Sequence, residues 1–390
     1  MTRLLLSGNE AAALAAKLAR VKVIAAYPIT PQTAVMEKLS EYVADGELDA
    51  EIIRVESEHS ALSACIGAAA SGVRVFTATS SQGLMFMSEI LFVASGMRLP
   101  IVMVNVNRSL SAPLSIWCDQ QDSLSVRDAG WIQMYCENNQ EILDFVIQAF
   151  RIAERTLLPV MVCYDGYILS HMAEMVEAPE QEAVDEFLPP YRYPYALDPK
   201  KPVTLGPVGV PEYYQEFKFM QHNAMLEARK EIEETMALFG QKFGRKYKMI
   251  ETYGIEDANV VLVSMGSVCG TIKEVIDALR KGGEKVGLVE IKVFRPFLHK
   301  ELSEILSGKR VIGVVEKALS PGATGPLYAD LATVFEGRLP TMIDFICGLG
   351  GRDVREGDIR EAIKICHAAA RGEKVEKMIW LGLREKVVGP

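Results

Sequence analysis

A repeated alternation constrains this chain more than any other feature. Short apolar runs rich in β-branched residues recur with helix-like stretches between them, first through residues 1–170 and again through 258–390. In the first set, Val21–Ala25, Glu51–Val55, Val73–Ala78, Ile101–Val106 and Val160–Tyr164 read as strands. Gln32–Val43, Glu58–Ser71, Gln82–Ser95 and Gln140–Arg155 read as helices. The strands carry little polar alternation, as strands buried on both faces do. The order predicts an α/β fold with a doubly wound parallel sheet. In the second set, Val260–Met265, Val286–Ile291, Val311–Val315 and Thr341–Phe345 read as strands, with helices near Thr271–Arg280, His299–Leu306, Leu327–Phe335 and Ile359–Ala370. Asp358 is placed to N-cap the last helix. This set predicts a second, smaller α/β domain. Between them, over 171–257, prolines crowd from Pro189 to Pro211, which predicts an extended connector, and a charged helix follows near Phe219–Phe239.

Charge and cysteine usage narrow the function. Asp plus Glu number 51 against 42 Lys plus Arg, a net charge of −9, which disfavours nucleic acid as a partner. The longest uncharged stretches, His59–Val73 and Ala258–Ile272, fall short of the roughly 18 residues of a membrane span. The Leu4–Leu6 run is too brief for a signal-peptide core, which predicts a cytoplasmic protein. Seven dispersed cysteines without a C-x-x-C pair argue against a disulfide framework and against a self-contained zinc or iron–sulfur site, so no metal ligands are assigned.

Ligands of doubly wound sheets bind beyond the carboxyl ends of the strands, so those loops hold the candidates. Tyr27-Pro28-Ile29-Thr30-Pro31 ends the first predicted strand. Thr30 is expected at the N-cap, where its hydroxyl either caps the helix or faces a ligand carboxylate. Glu56 and Glu58 flank Ser57 ahead of an Ala-rich helix. Glu58 either complements the helix dipole or stands in a cleft to bond a ligand nitrogen. Thr79–Gly83 is a polar turn of small residues, neither G-x-G-x-x-G nor a Walker loop. Arg108 either holds a carboxylate bidentately or pairs with Asp119, Asp122 or Asp128. His59 lacks metal-ligand spacing and, like Cys118, receives no role. Tyr27–Thr33 contains no glycine, against a dinucleotide-binding dehydrogenase. There is no G-x-S-x-G or H-E-x-x-H, and no G-D-G followed by an Asn pair.

Together these segments resemble one family. Y-P-I-T-P-Q-T at 27–33, E-S-E-H-S-A at 56–61, S-S-Q-G-L at 80–84, N-R-S-L-S-A-P at 107–113, D-Q-Q-D-S-L-S-V-R-D-A-G-W at 119–131 and P-V-T-L-G-P-V-G at 202–209 look like the α subunits of 2-oxoacid:ferredoxin oxidoreductases. The pyruvate branch is the nearest match and the 2-oxoisovalerate branch the next. The resemblance implies a thiamine pyrimidine-binding-type domain over 1–170 and a transketolase C-terminal-like domain over 258–390. It implies oxidative decarboxylation of a 2-oxoacid with coenzyme A, electrons passing through iron–sulfur clusters to ferredoxin. Thiamine diphosphate would be shared with a β subunit carrying the diphosphate and Mg²⁺. The 4Fe–4S clusters would lie in partner subunits, which include γ and an iron–sulfur δ chain. The missing G-D-G motif and cysteine clusters fit that division. By the same resemblance Glu58 bonds the aminopyrimidine ring, with Glu56 as the fallback. Thr30 and Arg108 meet the substrate carboxylate, and Ser81, Gln82 and Gly83 belong to the cofactor pocket. Ile29 is a candidate for the acyl pocket, as are Leu110, Leu114, Ile116 and Trp117; Cys118 falls in the same stretch with no role of its own assigned. Aliphatic and aromatic 2-oxoacids, phenylglyoxylate among them, remain open as substrates. A purely assembling, non-catalytic subunit is the competing reading, which retention of Glu58, Thr30 and Arg108 disfavours.

Overall fold

A computed structural model gives the structure of residues 1–335, 340–384 and 387. The first set of apolar runs builds a seven-stranded sheet in the spatial order Glu51–Ile53, Val23–Ala25, Val75–Thr79, Ile101–Asn107, Val160–Asp165, Ile132–Tyr135 and Val293–Arg295. The first six are parallel. Ile101–Asn107 and Val160–Asp165 are buried along their whole length, as the absence of polar alternation predicts. Helices Gly8–Leu18 and Asn139–Thr156 cover one face, with Phe145 and Phe150 in the core. Glu58–Ala70 and Ser88–Gly96 cover the other, around Leu62, Leu91 and Trp131.

Several elements differ from the sequence reading. Strand Thr2–Ser7 pairs antiparallel with Ala173–Ala178, and its strand partner lies too far along the chain to leave a local signal. Helix Gly8–Leu18 starts in a capping box, Ser7 with Glu10, that the sequence reading passed over. The expected helix Gln82–Ser95 is two helices, Ser81–Phe86 and Ser88–Gly96. The connector is less extended than its prolines suggest. It holds Ala173–Ala178 and helix Gln181–Phe187, and the charged helix runs from Pro211 to Phe243. Pro211 suits the first helical turn, and Gly244 closes the helix in a left-handed conformation. Tyr213, Phe219 and Met220 on its first turns are exposed. At the last helix, Arg355 is the N-cap residue, and Asp358 stands one turn in, accepting the Arg355 N–H at 2.8 Å.

The second set of runs forms a six-stranded sheet ordered Met378–Trp380, Thr341–Ile346, Val311–Glu316, Val260–Ser264, Val286–Ile291 and Ile250–Tyr253. All are parallel except the last pair. The chain leaves this sheet after Ile291 and immediately joins the first as Val293–Arg295, antiparallel to Ile132–Tyr135. Lys292 lies at the crossing with its side chain fully buried. Its Nζ is 2.5 Å from Glu290 Oε1, 2.6 Å from Glu141 Oε1 and 3.2 Å from Glu137 Oε2. Lys273 adds a second ammonium, 2.6 Å from Glu137 and 2.8 Å from Glu290. Three carboxylates close enough to hold a cation are thus filled by lysines. Lys292→Met leaves those carboxylates buried with only Lys273, so it should cost about 3–5 kcal/mol of stability. Urea unfolding followed by circular dichroism checks this, with an Arg360→Met surface variant as the unaffected control.

Candidate functional site

The first sheet reverses its winding between Val23–Ala25 and Val75–Thr79, which places a ligand crevice beyond those two strand ends. The sequence-derived residues converge there. Glu58 opens helix Glu58–Ala70, behind a Ser57 cap whose hydroxyl accepts the Ser60 N–H at 3.2 Å. The residue is buried as a whole, and its carboxylate makes no hydrogen bond among the described residues. It faces the turn after Val75–Thr79. A Cβ built on Gly83 would lie 2.7 Å from Glu58 Oε1 and 2.6 Å from Thr79 Oγ1, so only glycine lets that turn approach the carboxylate. Thr79 Oγ1 is itself buried without a partner. Glu56 is exposed instead and accepts from Ser60 Oγ, which holds its carboxyl below the usual range.

Ser81 turns the chain with φ +50°, a left-handed conformation that costs a non-glycine residue energy. Its surroundings account for that backbone. Ser81 N–H donates to Asp122 Oδ2 at 2.9 Å, and its Oγ lies 2.5 Å from Ser109 O and 2.6 Å from Gln82 Oε1. Ser81 and Gln82 are thus occupied with each other and with the neighbouring loop. Asp122 is the hub. It also accepts from Asn105 Nδ2 (3.0 Å), Asn107 Nδ2 (2.7 Å), the Arg108 N–H (3.1 Å) and the Ser123 N–H (2.8 Å). Burial pushes its carboxyl up to about 6 while these donors pull the other way.

Arg108 follows Ile101–Asn107 directly. Its Nε donates to Ser115 O and its Nη1 to Thr30 O, both at 2.9 Å. The ion-pair alternative fails. Asp122 takes only the backbone N–H of Arg108, Asp119 accepts from Gly350 and Gln121, and Asp128 lies beside Arg295. The guanidinium therefore makes no ion-pair contact among the described residues, and burial lowers its pKa, partly offset by Tyr167 and by Asp122 nearby. Thr30 is exposed and is not the helix cap. Gln32 is the residue before helix Thr33–Ala44, so Thr30 stands outside the first turn with its hydroxyl free of capping. Ile29 is half-buried, and its N–H reaches Gln32 Oε1 at 3.3 Å. His59 packs near Phe86, with ring centroids 6.1 Å apart and Glu89 at 3.8 Å, away from these contacts.

Two contributors escaped the sequence reading. Asn9 donates from Nδ2 to Pro31 O at 2.8 Å and accepts from Tyr164 OH at 2.9 Å, which fixes the turn carrying Thr30. Asp122 was visible only as one acid in a polar loop. Its spacing from Asn105 and Asn107, at the end of a buried strand, was the available signal.

A carboxylate without a partner, a guanidinium held by carbonyls and a glycine turn gather at the reversal of a doubly wound sheet, where α/β folds of this class take their ligands. A second α/β sheet in the same chain gives it a transketolase-like architecture. The solved structures agree on the fold. The chain matches a 2-oxoglutarate:ferredoxin oxidoreductase from Magnetococcus marinus with TM-score 0.72 and 21% identity, over 93% of this chain and 65% of that one. It matches a split-gene transketolase with TM-score 0.54 and 11% identity, over 93% and 98%. The family profile described as "Pyruvate flavodoxin/ferredoxin oxidoreductase, thiamine diP-bdg" matches residues 14–237, and "Pyruvate:ferredoxin oxidoreductase core domain II" matches 258–359. Pyruvate synthase subunit PorA of Pyrococcus horikoshii is 53% identical over 99% of both chains, and that of Methanocaldococcus jannaschii is 53% identical over 97% of this chain and 98% of that one. Ketoisovalerate oxidoreductase subunit VorA of Pyrococcus horikoshii is 49% identical over 97% of each. The chain belongs to the α-subunit family of the 2-oxoacid:ferredoxin oxidoreductases. Among the described residues no helix is long and apolar enough to cross a membrane.

Gly83→Ala tests the turn. The new methyl must displace Glu58 or Thr79, at a cost of about 1–3 kcal/mol. The expected outcome is weaker thiamine diphosphate binding by about 5–150-fold, read by cofactor titration of the assembled enzyme with assembly unchanged.

Proposed function

We propose that this chain supplies the pyrimidine side of a thiamine diphosphate site in a multi-subunit pyruvate:ferredoxin oxidoreductase. The reaction is oxidative decarboxylation of pyruvate with coenzyme A to acetyl-CoA, carbon dioxide and reduced ferredoxin. The observation that carries this is the carboxylate of the buried residue Glu58, free of hydrogen bonds among the described residues and set against a glycine turn. The residues fit the cofactor. Glu58 would hydrogen-bond the aminopyrimidine ring nitrogen through its carboxyl group. Gly83 lets the turn close against Glu58 and Thr79, and Thr79 Oγ1 is an unsatisfied polar atom beside that carboxylate. Bound thiamine diphosphate supplies the electron sink for breaking the bond to carbon dioxide. Arg108 and Thr30 bind and orient the 2-oxoacid carboxylate. Because that carboxylate leaves as a neutral molecule, the clamp serves binding more than acceleration.

The diphosphate and Mg²⁺ fall to a β subunit, and the 4Fe–4S clusters to partner chains alongside a γ subunit. The basis is that this sequence has no G-D-G motif, and all seven of its cysteines are dispersed, buried and free. The 1–170 and 258–390 units are the cofactor domain and its companion, with 171–257 linking them. A second reading, the same chemistry on 2-oxoisovalerate, is favoured by the 49% identity to the ketoisovalerate relative. A hydrophobic pocket distinguishes one or two methylenes by only about 1–3 kcal/mol, so the two substrates are close competitors.

Glu58→Gln in the reconstituted complex should lower viologen reduction with pyruvate and coenzyme A by about 10²–10⁴-fold with assembly intact. An unchanged rate leaves only an assembling role. A higher kcat/KM for 2-oxoisovalerate than for pyruvate in the unaltered complex replaces the first substrate with the second.

A further inference from the structure

The second sheet has the topology of a ligand site. After the antiparallel edge strand Ile250–Tyr253, its parallel part starts mid-sheet at Val260–Ser264, moves to Val286–Ile291 on one side and then crosses to Val311–Glu316 on the other. Ligands of such sheets lie beyond the strand ends flanking that reversal. Here the first half of the chain fills the position. Gln120 Nε2 donates to Met265 O at 3.2 Å, and the Gln120 N–H donates to Lys317 O at 2.8 Å, so one residue bridges both strand ends. The Gly351 N–H donates to Cys118 O at 2.7 Å, and the Gly350 N–H to Asp119 Oδ2 at 3.2 Å.

Lys317 is buried in this joint. Its Nζ lies 3.0 Å from Cys118 Sγ and 3.1 Å from Asp165 Oδ2, at the end of the first sheet's strand Val160–Asp165. Ser267 Oγ donates to the same carboxylate oxygen. Asp165 compensates the ammonium charge, and Cys118 gives it a second, neutral acceptor. Burial pushes the Cys118 thiol up to about 11, so it stays protonated at neutral pH. The gripped segment is the root of the loop that Arg108 opens. The Ser109 N–H and Oγ both donate to Trp117 O at 3.0 Å, and Arg108 Nε closes the loop onto Ser115 O. A short path therefore runs from Lys317 through Cys118 and Trp117 to Ser109 and Arg108.

We propose that Lys317 is a positioning residue for the 2-oxoacid carboxylate site, and that the crevice of the second sheet is a socket for the Cys118–Gln120 segment and not a small-molecule site. The inference rests on the reading of Arg108 as the carboxylate clamp.

The double variant Lys317→Met/Asp165→Asn removes both charges and leaves neither buried alone. In the reconstituted complex it should raise the KM for pyruvate by about tenfold or more, since an ångström of misplacement can cost about a hundredfold. Thiamine diphosphate affinity should stay unchanged, and amide exchange should quicken at Ser109 and Gln120. An unchanged KM overturns the proposal, as does a KM that worsens together with thiamine diphosphate affinity. Arg108→Gln is measured alongside. If its KM is unchanged, the clamp reading falls and this inference with it. If its KM rises while that of the double variant does not, the inference alone falls. Should the double variant not assemble, Cys118→Ala, which buries no new charge, is judged by the same KM and exchange criteria.

Discussion

The arrangement of the two sheets depends on one buried ammonium group. Lys292 sits where the polypeptide passes from one sheet to the other, among the carboxylates of Glu137, Glu141 and Glu290. Taking such charges out of water is expensive unless partners are close and the geometry is fixed. Glu137 and Glu141 belong to the first half of the chain and Glu290 to the second, so the group is complete only when the halves are docked. The neighbouring strand Val293–Arg295 then adds hydrogen bonds to the docked state. With the sheets fixed this way, Lys317 Nζ and Asp165 Oδ2, from residues at the ends of strands in different sheets, come within 3.1 Å of each other. A loosely tethered second domain would not bring them together.

The site follows the same logic at smaller scale. Asp122 collects donors from the turn at Ser81, from the strand end at Asn105 and Asn107, and from the start of the Arg108 loop. One carboxylate thereby ties together the two loops that face the crevice. The groups left over are those a ligand would use. Glu58 has no hydrogen bond among the described residues, and the guanidinium of Arg108 is held only by carbonyls. Fixing the frame while leaving these groups unsatisfied is how a protein prepares a polar environment before its ligand arrives.

Much of this was legible in the sequence. Buried parallel strands announce themselves through uninterrupted β-branched runs, and Val286–Ile291 and the helix His299–Leu306 fall where the pattern puts them. The strand ends also pointed to the loops that converge, because the topology of a doubly wound sheet dictates where its crevice lies. Long-range choices were not legible. Thr2–Ser7 is half exposed, and its pairing with Ala173–Ala178 is decided by chain return, not by local pattern. Val293–Arg295 is too short to reveal that it leaves its own domain's sheet. The expected cap at Thr30 failed because proline position signals that a helix is near but does not fix its first residue, which here follows Gln32. Cys118 carried no readable meaning because its neighbour Lys317 is 199 positions away.

The filled crevice of the second sheet bears on how such a chain can change over time. A pocket that holds a small molecule is constrained by that molecule, whereas a socket that holds its own chain is constrained only by the segment inserted into it. Changes in residues 118–120 and in the loops at Met265, Lys317 and Gly350–Gly351 are therefore tolerated only together, and only where they keep the Arg108 loop in place. Exchanging one half of the chain for the corresponding half of a distant relative would break that pairing even where each half keeps its own fold.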